Sequence, residues 1–149
     1  MEEITNSQYW YQYPIKVQPH HTDYAGLVWH GAYLTWMEEA RVEYLRAAGL
    51  EYADLVKIGC SLLVVDLSLR YHQGMQMGQK AIVKTRIIPS KKVRIICDYQ
   101  IQSPDERELF VSGQVSLVAV DTDKNKIMRK LPPELESALY QHSRINSLN

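Results

Sequence analysis

From residue 63 onward the chain alternates. Leu63, Val65, Leu67, Leu69 and Tyr71 fall on one side of a period of two, and Val64, Asp66, Ser68, Arg70 and His72 on the other, as in a strand with one face toward a core. Val93, Ile95, Cys97, Tyr99 and Ile101 repeat the pattern, as do Leu109, Val111, Gly113, Val115, Leu117 and Ala119, and Ile82 to Ile88 has the same texture. Gly74 to Gly78, Pro89-Ser90 and Ser103-Pro104-Asp105 separate these runs, since such residues favour turn geometry over a ladder. The pattern predicts four consecutive antiparallel strands.

Upstream the period is 3.6. Tyr33, Trp36, Met37, Ala40, Tyr44 and Ala48 recur at spacings of three and four, which puts them on one face of a helix over 31–48. Gly49 suits its C-terminal stop. Glu38 with Arg41 and Glu43 with Arg46 read as i,i+3 pairs on the outer side. Before the helix, residues 9–20 are aromatic and β-branched, with Tyr13, Ile15 and Val17 at every second position, a first strand. Leu131-Pro132-Pro133-Glu134 ends the last extended segment, and 134–145 reads as a short C-terminal helix. One long apolar helix beside a meander of strands is an α+β arrangement in which the sheet wraps the helix. Such a sheet leaves an edge and an outer face uncovered, and self-association is the usual cover.

Composition narrows the picture modestly. The 149 residues fit one domain, 1–149, with ordinary globular proportions of 46% hydrophobic and 23% charged residues. Lys plus Arg equals Asp plus Glu at 17 each, which argues against a nucleic-acid binder whose whole surface is basic. Met1 is followed by Glu2 and Glu3 rather than by a basic and then apolar leader, and no apolar run approaches the ~20 residues of a membrane span. The expectation is a cytoplasmic protein without membrane insertion. Cys60 and Cys97 each lie beside or within an apolar strand, as buried reduced thiols do.

The densest chemistry is HTDYAGLVWHGAYLTWMEEARVEYL, residues 21–45. Asp23 precedes the helix by a short loop containing Gly26, and the first helical N–H groups, around His30 and Gly31, have no intrahelical acceptor. Free donors at the positive end of a helix stabilise an oxyanion, and a nearby carboxylate can attack or activate water at the carbon bearing it. From spacing alone, the role of Asp23 as a cap on its loop or on the helix is the preferred reading. His20, His21, Asp23 and His30 could be read as metal ligands, but adjacent His20 and His21 on a continuing strand would face opposite ways, so no metal is expected. Glu38 and Glu39 read as solvent-facing or paired with Arg41. No G-x-S-x-G elbow and no glycine-rich phosphate loop occurs.

The run from Asp23 to Leu45 resembles the signature of hotdog-fold thioesterases of the 4-hydroxybenzoyl-CoA thioesterase family, in particular the Tol-Pal-associated branch of short acyl-CoA hydrolases. Asp23, Gly26, Val28, Trp29, His30 and Tyr33 match its pattern, followed by Glu38, Glu39, Ala40 and Arg41; LSLRYHQ (67–73) and SGQVSLVAVD through RKLPPEL resemble later family segments. The resemblance implies a hotdog fold, a five-stranded antiparallel sheet around one central helix, and a homodimer or homotetramer with active sites at the subunit interface. It implies acyl-CoA hydrolysis without a cofactor, with Asp23 as catalytic carboxylate and the amide of His30 polarising the thioester carbonyl. Gly31 and Tyr33 join as substrate-contacting positions. Arg70 with His72, and the cluster Lys91, Lys92 and Arg94, could meet the coenzyme A phosphates or be solvated turns. One departure stands out: HQGMQMGQ, residues 72–79, replaces the Pro-Ala type turn common in relatives. A non-hydrolytic acyl-thioester binder and an acyl carrier protein thioesterase are the alternatives; a dehydratase fits the Asp-to-His spacing poorly.

Overall fold

A computed structural model describes residues 9–90 and 93–148 of the chain, with side chains described as far as residue 141. Strand β1 (Tyr11–Lys16) leads through a 3-10 turn at Pro19–His21 to helix α1 (Ala32–Ala47) and a short helix α2 (Tyr52–Lys57). Strands β2 (Cys60–Tyr71), β3 (Lys80–Ile88), β4 (Ile95–Gln102) and β5 (Leu109–Asp121) follow, then the two-residue β6 (Lys126–Ile127) and helix α3 (Pro133–Leu148). Every pairing is antiparallel, in the order β1-β3-β4-β5-β2 with β6 on β5.

The helix forms where the spacing puts it, and it buries Tyr33, Trp36, Met37, Ala40, Tyr44 and Leu45. Those side chains meet the inward residues of β3 (Ala81, Val83, Ile87), β4 (Ile95, Cys97, Tyr99, Ile101) and β5 (Val111, Val115, Leu117), all buried in one core. Each large apolar side chain buried there contributes about 1.5–3 kcal/mol relative to exposure. Gly49 ends the helix with φ +94° while Leu50 N–H returns to Leu45 O at 2.9 Å, the left-handed stop that glycine permits. Helix α3 closes one end of the core with Leu135, Ala138 and Leu139, and Tyr44 donates to the Leu139 carbonyl at 2.9 Å.

Four local expectations change. The first strand stops at Lys16, because Pro19 starts a 3-10 turn in which Thr22 N–H donates back to Pro19 O at 3.1 Å. His20 and His21 therefore do not face opposite ways: their rings lie 4.0 Å apart. The alternation of β2 breaks as well. Val65 is unpaired between Val64 and Asp66, so the side-chain phase flips there, and Leu62 and Leu69, seven residues apart, both pack on the core. Finally, Arg41 forms no ion pair with Glu38 among the described residues, but turns inward to the Tyr99 hydroxyl.

Strand β2 lies at the sheet edge, and Leu63, Val64, Val65, Leu67 and Tyr71 are all exposed. Among the described residues no helix is long and apolar enough to cross a membrane.

Candidate active site

The segment before α1 is a tight hairpin. Thr22 bridges Val28, Asp23 N–H donates to Leu27 O at 2.8 Å, Trp29 N–H donates to His21 O at 3.1 Å, and Gly26 turns the tip with φ +79°. Asp23 both caps this loop and keeps a free oxygen. Its Oδ1 accepts from Ala25 N–H at 2.9 Å and Leu27 N–H at 3.1 Å, whereas Oδ2 accepts no hydrogen bond among the described residues. Two backbone donors thus fix the carboxylate's orientation, and the residue is exposed.

The departing segment 72–79 holds this hairpin to the sheet. Val28 N–H donates to Met75 O at 2.9 Å, Met77 N–H donates to Gly26 O at 3.1 Å, and Leu27 bridges Gln76. Met75 itself is fully buried. The other end of the segment is tied to β1's exit, with Val17 N–H donating to Gln79 O and Gly78 N–H to Val17 O, both at 2.9 Å. A glycine- and glutamine-rich turn is therefore a short second ladder beneath the loop that carries Asp23.

At the foot of the hairpin α1 starts uncapped. Gly31, the N-cap, offers no side chain, and the first turn carries no acidic residue. The N–H groups of His30 and Gly31 donate no hydrogen bond among the described residues. The positive end of the helix accordingly has no hydrogen-bonded cap among the described residues and no first-turn carboxylate competing for it. The His30 ring is exposed and lies against Trp29, centroids 5.2 Å apart. Gly31 has an ordinary helical backbone (φ −78°, ψ −21°); its missing Cβ matters for space. A Cβ there would come within 2.8 Å of Trp29 Cζ2 and closer still to Cη2 and Cζ3.

Tyr33 lies in the core, 3% exposed, between Trp36 and Tyr71 at centroid separations of 5.6 Å each. Burial pushes its hydroxyl above the ordinary tyrosine range, partly offset by a hydrogen bond from the Met75 backbone. Tyr71 donates to the His30 carbonyl at 3.3 Å, a contact over 41 residues that no local pattern announces. Glu38 and Glu39 are exposed, and Glu39 accepts from Tyr13 at 3.0 Å. Burial pushes the Cys97 thiol up to about 12, far from any nucleophilic form. No group of metal-ligating side chains gathers among the described residues.

The basic positions are spread out. Arg70 is exposed and lines a shallow groove with Trp10, Arg86, Asp98 and Gln114; Arg86 stacks on Trp10 at 4.4 Å and meets Asp98 at 3.2 Å. Arg94 is exposed just before β4, and Lys91 and Lys92 lie outside the described residues. Ile95 pairs with Leu117, which pairs with Val64, six residues from Arg70. At roughly 3.3 Å per residue, Arg94 and Arg70 are about 20 Å apart along one protomer's sheet.

The model of the thioesterase-like superfamily matches residues 17–139. A Synechocystis protein described as a putative esterase is 49% identical over 95% of this chain and 84% of its own length. The Bacillus subtilis protein YneP, described as a putative acyl-CoA thioesterase, is 32% identical over 83% of this chain and 91% of its own. Among solved structures, the DHNA-CoA thioesterase of Staphylococcus aureus superposes with a TM-score of 0.83 at 28% identity, covering 93% of this chain and 94% of that one.

Proposed function

The chain belongs to the thioesterase-like superfamily, and from that premise we propose that it hydrolyses acyl-CoA thioesters with Asp23 as reacting carboxylate and the His30 N–H as donor to the carbonyl oxygen. The fold is that of the hotdog thioesterases and the enzyme is an acyl-CoA thioesterase. The observation that supports the residue assignment is a carboxylate with one oxygen engaged, carried on the hairpin that leads directly into an uncapped helix start.

In this reading the thioester carbonyl oxygen rests on the His30 N–H, where charge accumulates as the carbon becomes tetrahedral. Asp23 Oδ2 then follows one of two routes. It attacks the carbonyl carbon, the C–S bond breaks, coenzyme A leaves as thiolate, and water hydrolyses the mixed anhydride; or it takes a proton from water, whose oxygen attacks directly. Both give free acid and coenzyme A. Single-turnover hydrolysis in oxygen-18 water tests the first route: label in the Asp23 peptide, introduced when water opens the anhydride at the Asp23 carbon, supports direct attack, whereas label confined to the product acid fits the base route or opening of the anhydride at the acyl carbon. The exposed His30 imidazole is a supporting group in this reading and Gly31 adjoins the carbonyl site, whereas Tyr33, 3% exposed, underlies the helix start from the core rather than contacting substrate.

The active form in this reading is a dimer or a pair of dimers. Apolar residues on both faces of an edge strand, Leu63, Val64, Val65 and Leu67, support edge-to-edge pairing with a second copy of β2. Antiparallel pairing of the two edges would bring Arg94 of one protomer toward the Arg70 end of its partner, so that these two arginines could serve one set of coenzyme A phosphates. A hydrolysis screen against aromatic, short-chain and long-chain acyl-CoA and acyl carrier protein substrates tests the assignment. Turnover of acyl-CoA substrates supports it; tight binding without turnover across the panel would make the protein a carrier.

A further inference from the structure

We propose that Tyr71 is a positioning residue for this reaction, and that it makes the Gly31 N–H a second donor to the carbonyl oxygen beside that of His30; the inference rests on the oxyanion reading given above. Tyr71 closes β2, where the ladder sets it opposite Val111, and the next residue, His72, donates from its N–H to Phe110 O at 2.8 Å. The unpaired Val65 gives Tyr71 the same side-chain phase as Leu69, which packs on the core. Without that bulge the alternation would turn the ring to the outer face of the sheet. Its ring meets Tyr33 edge-on at 5.6 Å, and Tyr33 is held in the core by Trp36. Backbone ladder and ring contact thus restrain the hydroxyl, which donates to the His30 carbonyl at 3.3 Å.

The consequence follows from peptide geometry. A trans peptide is planar, with its C=O and N–H pointing opposite ways. Tyr71 holds the carbonyl of the 30–31 peptide toward β2, so the Gly31 N–H points to the other side, where it donates to no acceptor among the described residues. Donation to a carbonyl also polarises its amide and strengthens the N–H as a donor, by about 10–30% per bond. Trp29 crosses the space where residue 31 would carry a Cβ, and its ring limits the rotation open to this peptide. A hydroxyl on one end of the peptide therefore fixes and strengthens a donor at the other.

Tyr71→Phe keeps the ring and removes only the hydroxyl. The expected result is a fall in kcat of about tenfold, less than the 10²–10³ of deleting an oxyanion donor outright, with KM changed by less than about twofold, since the donor polarises the bound carbonyl only weakly and the developing oxyanion more strongly. The discriminating readout is the carbonyl stretch of benzoyl-CoA labelled with carbon-13 at the thioester carbon, bound to Asp23→Asn to prevent turnover. A red shift in Asp23→Asn that shrinks in Asp23→Asn/Tyr71→Phe supports the proposal. An equal shift in both overturns the role of Tyr71 and leaves the oxyanion site standing. No shift in Asp23→Asn removes the oxyanion reading itself, and the role of Tyr71 with it.

Discussion

Arg41, in the middle of the central helix, donates to the Tyr99 hydroxyl of β4 across 2.9 Å, with Tyr99 only 1% exposed. A charged donor held inside the sheet's curl needs that acceptor. Burial first, and the neighbouring Cys97 second, push the Tyr99 hydroxyl above its ordinary range, so it stays neutral at any working pH. Tyr99→Phe leaves the guanidinium without this acceptor and should cost about 1.5–3 kcal/mol, as hydrogen bonds to charged groups do. Urea unfolding measures the loss, while kcat/KM stays within about twofold because the pair lies outside the Asp23 hairpin.

The apolar edge of β2 gives a second test. Leu63 is 52% exposed on a strand that has no neighbour on its outer side among the described residues. Leu63→Lys puts a charge where the proposed dimer buries an apolar side chain, and an unpaired buried charge is expensive. Light scattering should show the wild type as a dimer or tetramer and the variant shifted to monomer, with hydrolysis reduced by about tenfold or more if the site needs both copies. A fully active wild-type monomer would overturn the interface reading.

Helix α1, the inward faces of β3, β4 and β5, and the Asp23–His30 segment were legible because their signal is local periodicity and a contiguous motif. The remainder depends on contacts between distant residues. Tyr71 reaches His30 only because a bulge at Val65 shifts the phase of β2, and no hydrophobic count reveals a bulge. Arg41 looked like a surface partner for Glu38 from i,i+3 spacing, yet its long side chain reaches a tyrosine 58 residues away. The ladder of 75–77 against 26–28 joins two stretches whose sequences read simply as turns. Helix α2 spans only Tyr52–Lys57 and β6 only two residues, too short for a period to register.

Gly31 tests the crowding at the helix start. Because the indole of Trp29 occupies the space of a Cβ at residue 31, Gly31→Ala must displace the ring or the peptide, although its helical backbone suits alanine well. The expected outcome is unchanged or slightly higher thermal stability with activity reduced by roughly tenfold to a hundredfold, the scale of an ångström-level misplacement, and an altered tryptophan emission spectrum. Undiminished kcat/KM would mean that this peptide's placement is not used.

His21 gives a pH dependence. Its Nδ1 accepts from Gln18 N–H at 2.8 Å, which only the uncharged form allows at that nitrogen. Burial first, then the neighbouring His20, hold its pKa below the ordinary histidine value, with Glu39 opposing. The unfolded chain then binds the proton more readily than the folded one, so the contribution is complete above about pH 6.5 and is lost as pH falls from there through the lowered folded value. The ring is only partly buried, so the effect is small. An NMR titration should place His21 below free imidazole, and His21→Gln should flatten part of the decline in Tm between about pH 7 and pH 5; a His21 value above the free one would contradict this.

The reacting role of Asp23 is tested most directly by rapid-quench single turnover of Asp23→Asn against wild type, using the acyl-CoA most active in the screen and with binding followed in parallel. The side-chain amide can still accept from Ala25 and Leu27 through its oxygen, so the loop and the Kd for acyl-CoA should persist. The rate of thioester cleavage should fall by about 10³-fold or more, as expected when a group acting only in the transition state is removed. Cleavage within about tenfold of wild type, with binding intact, would contradict the assignment of Asp23.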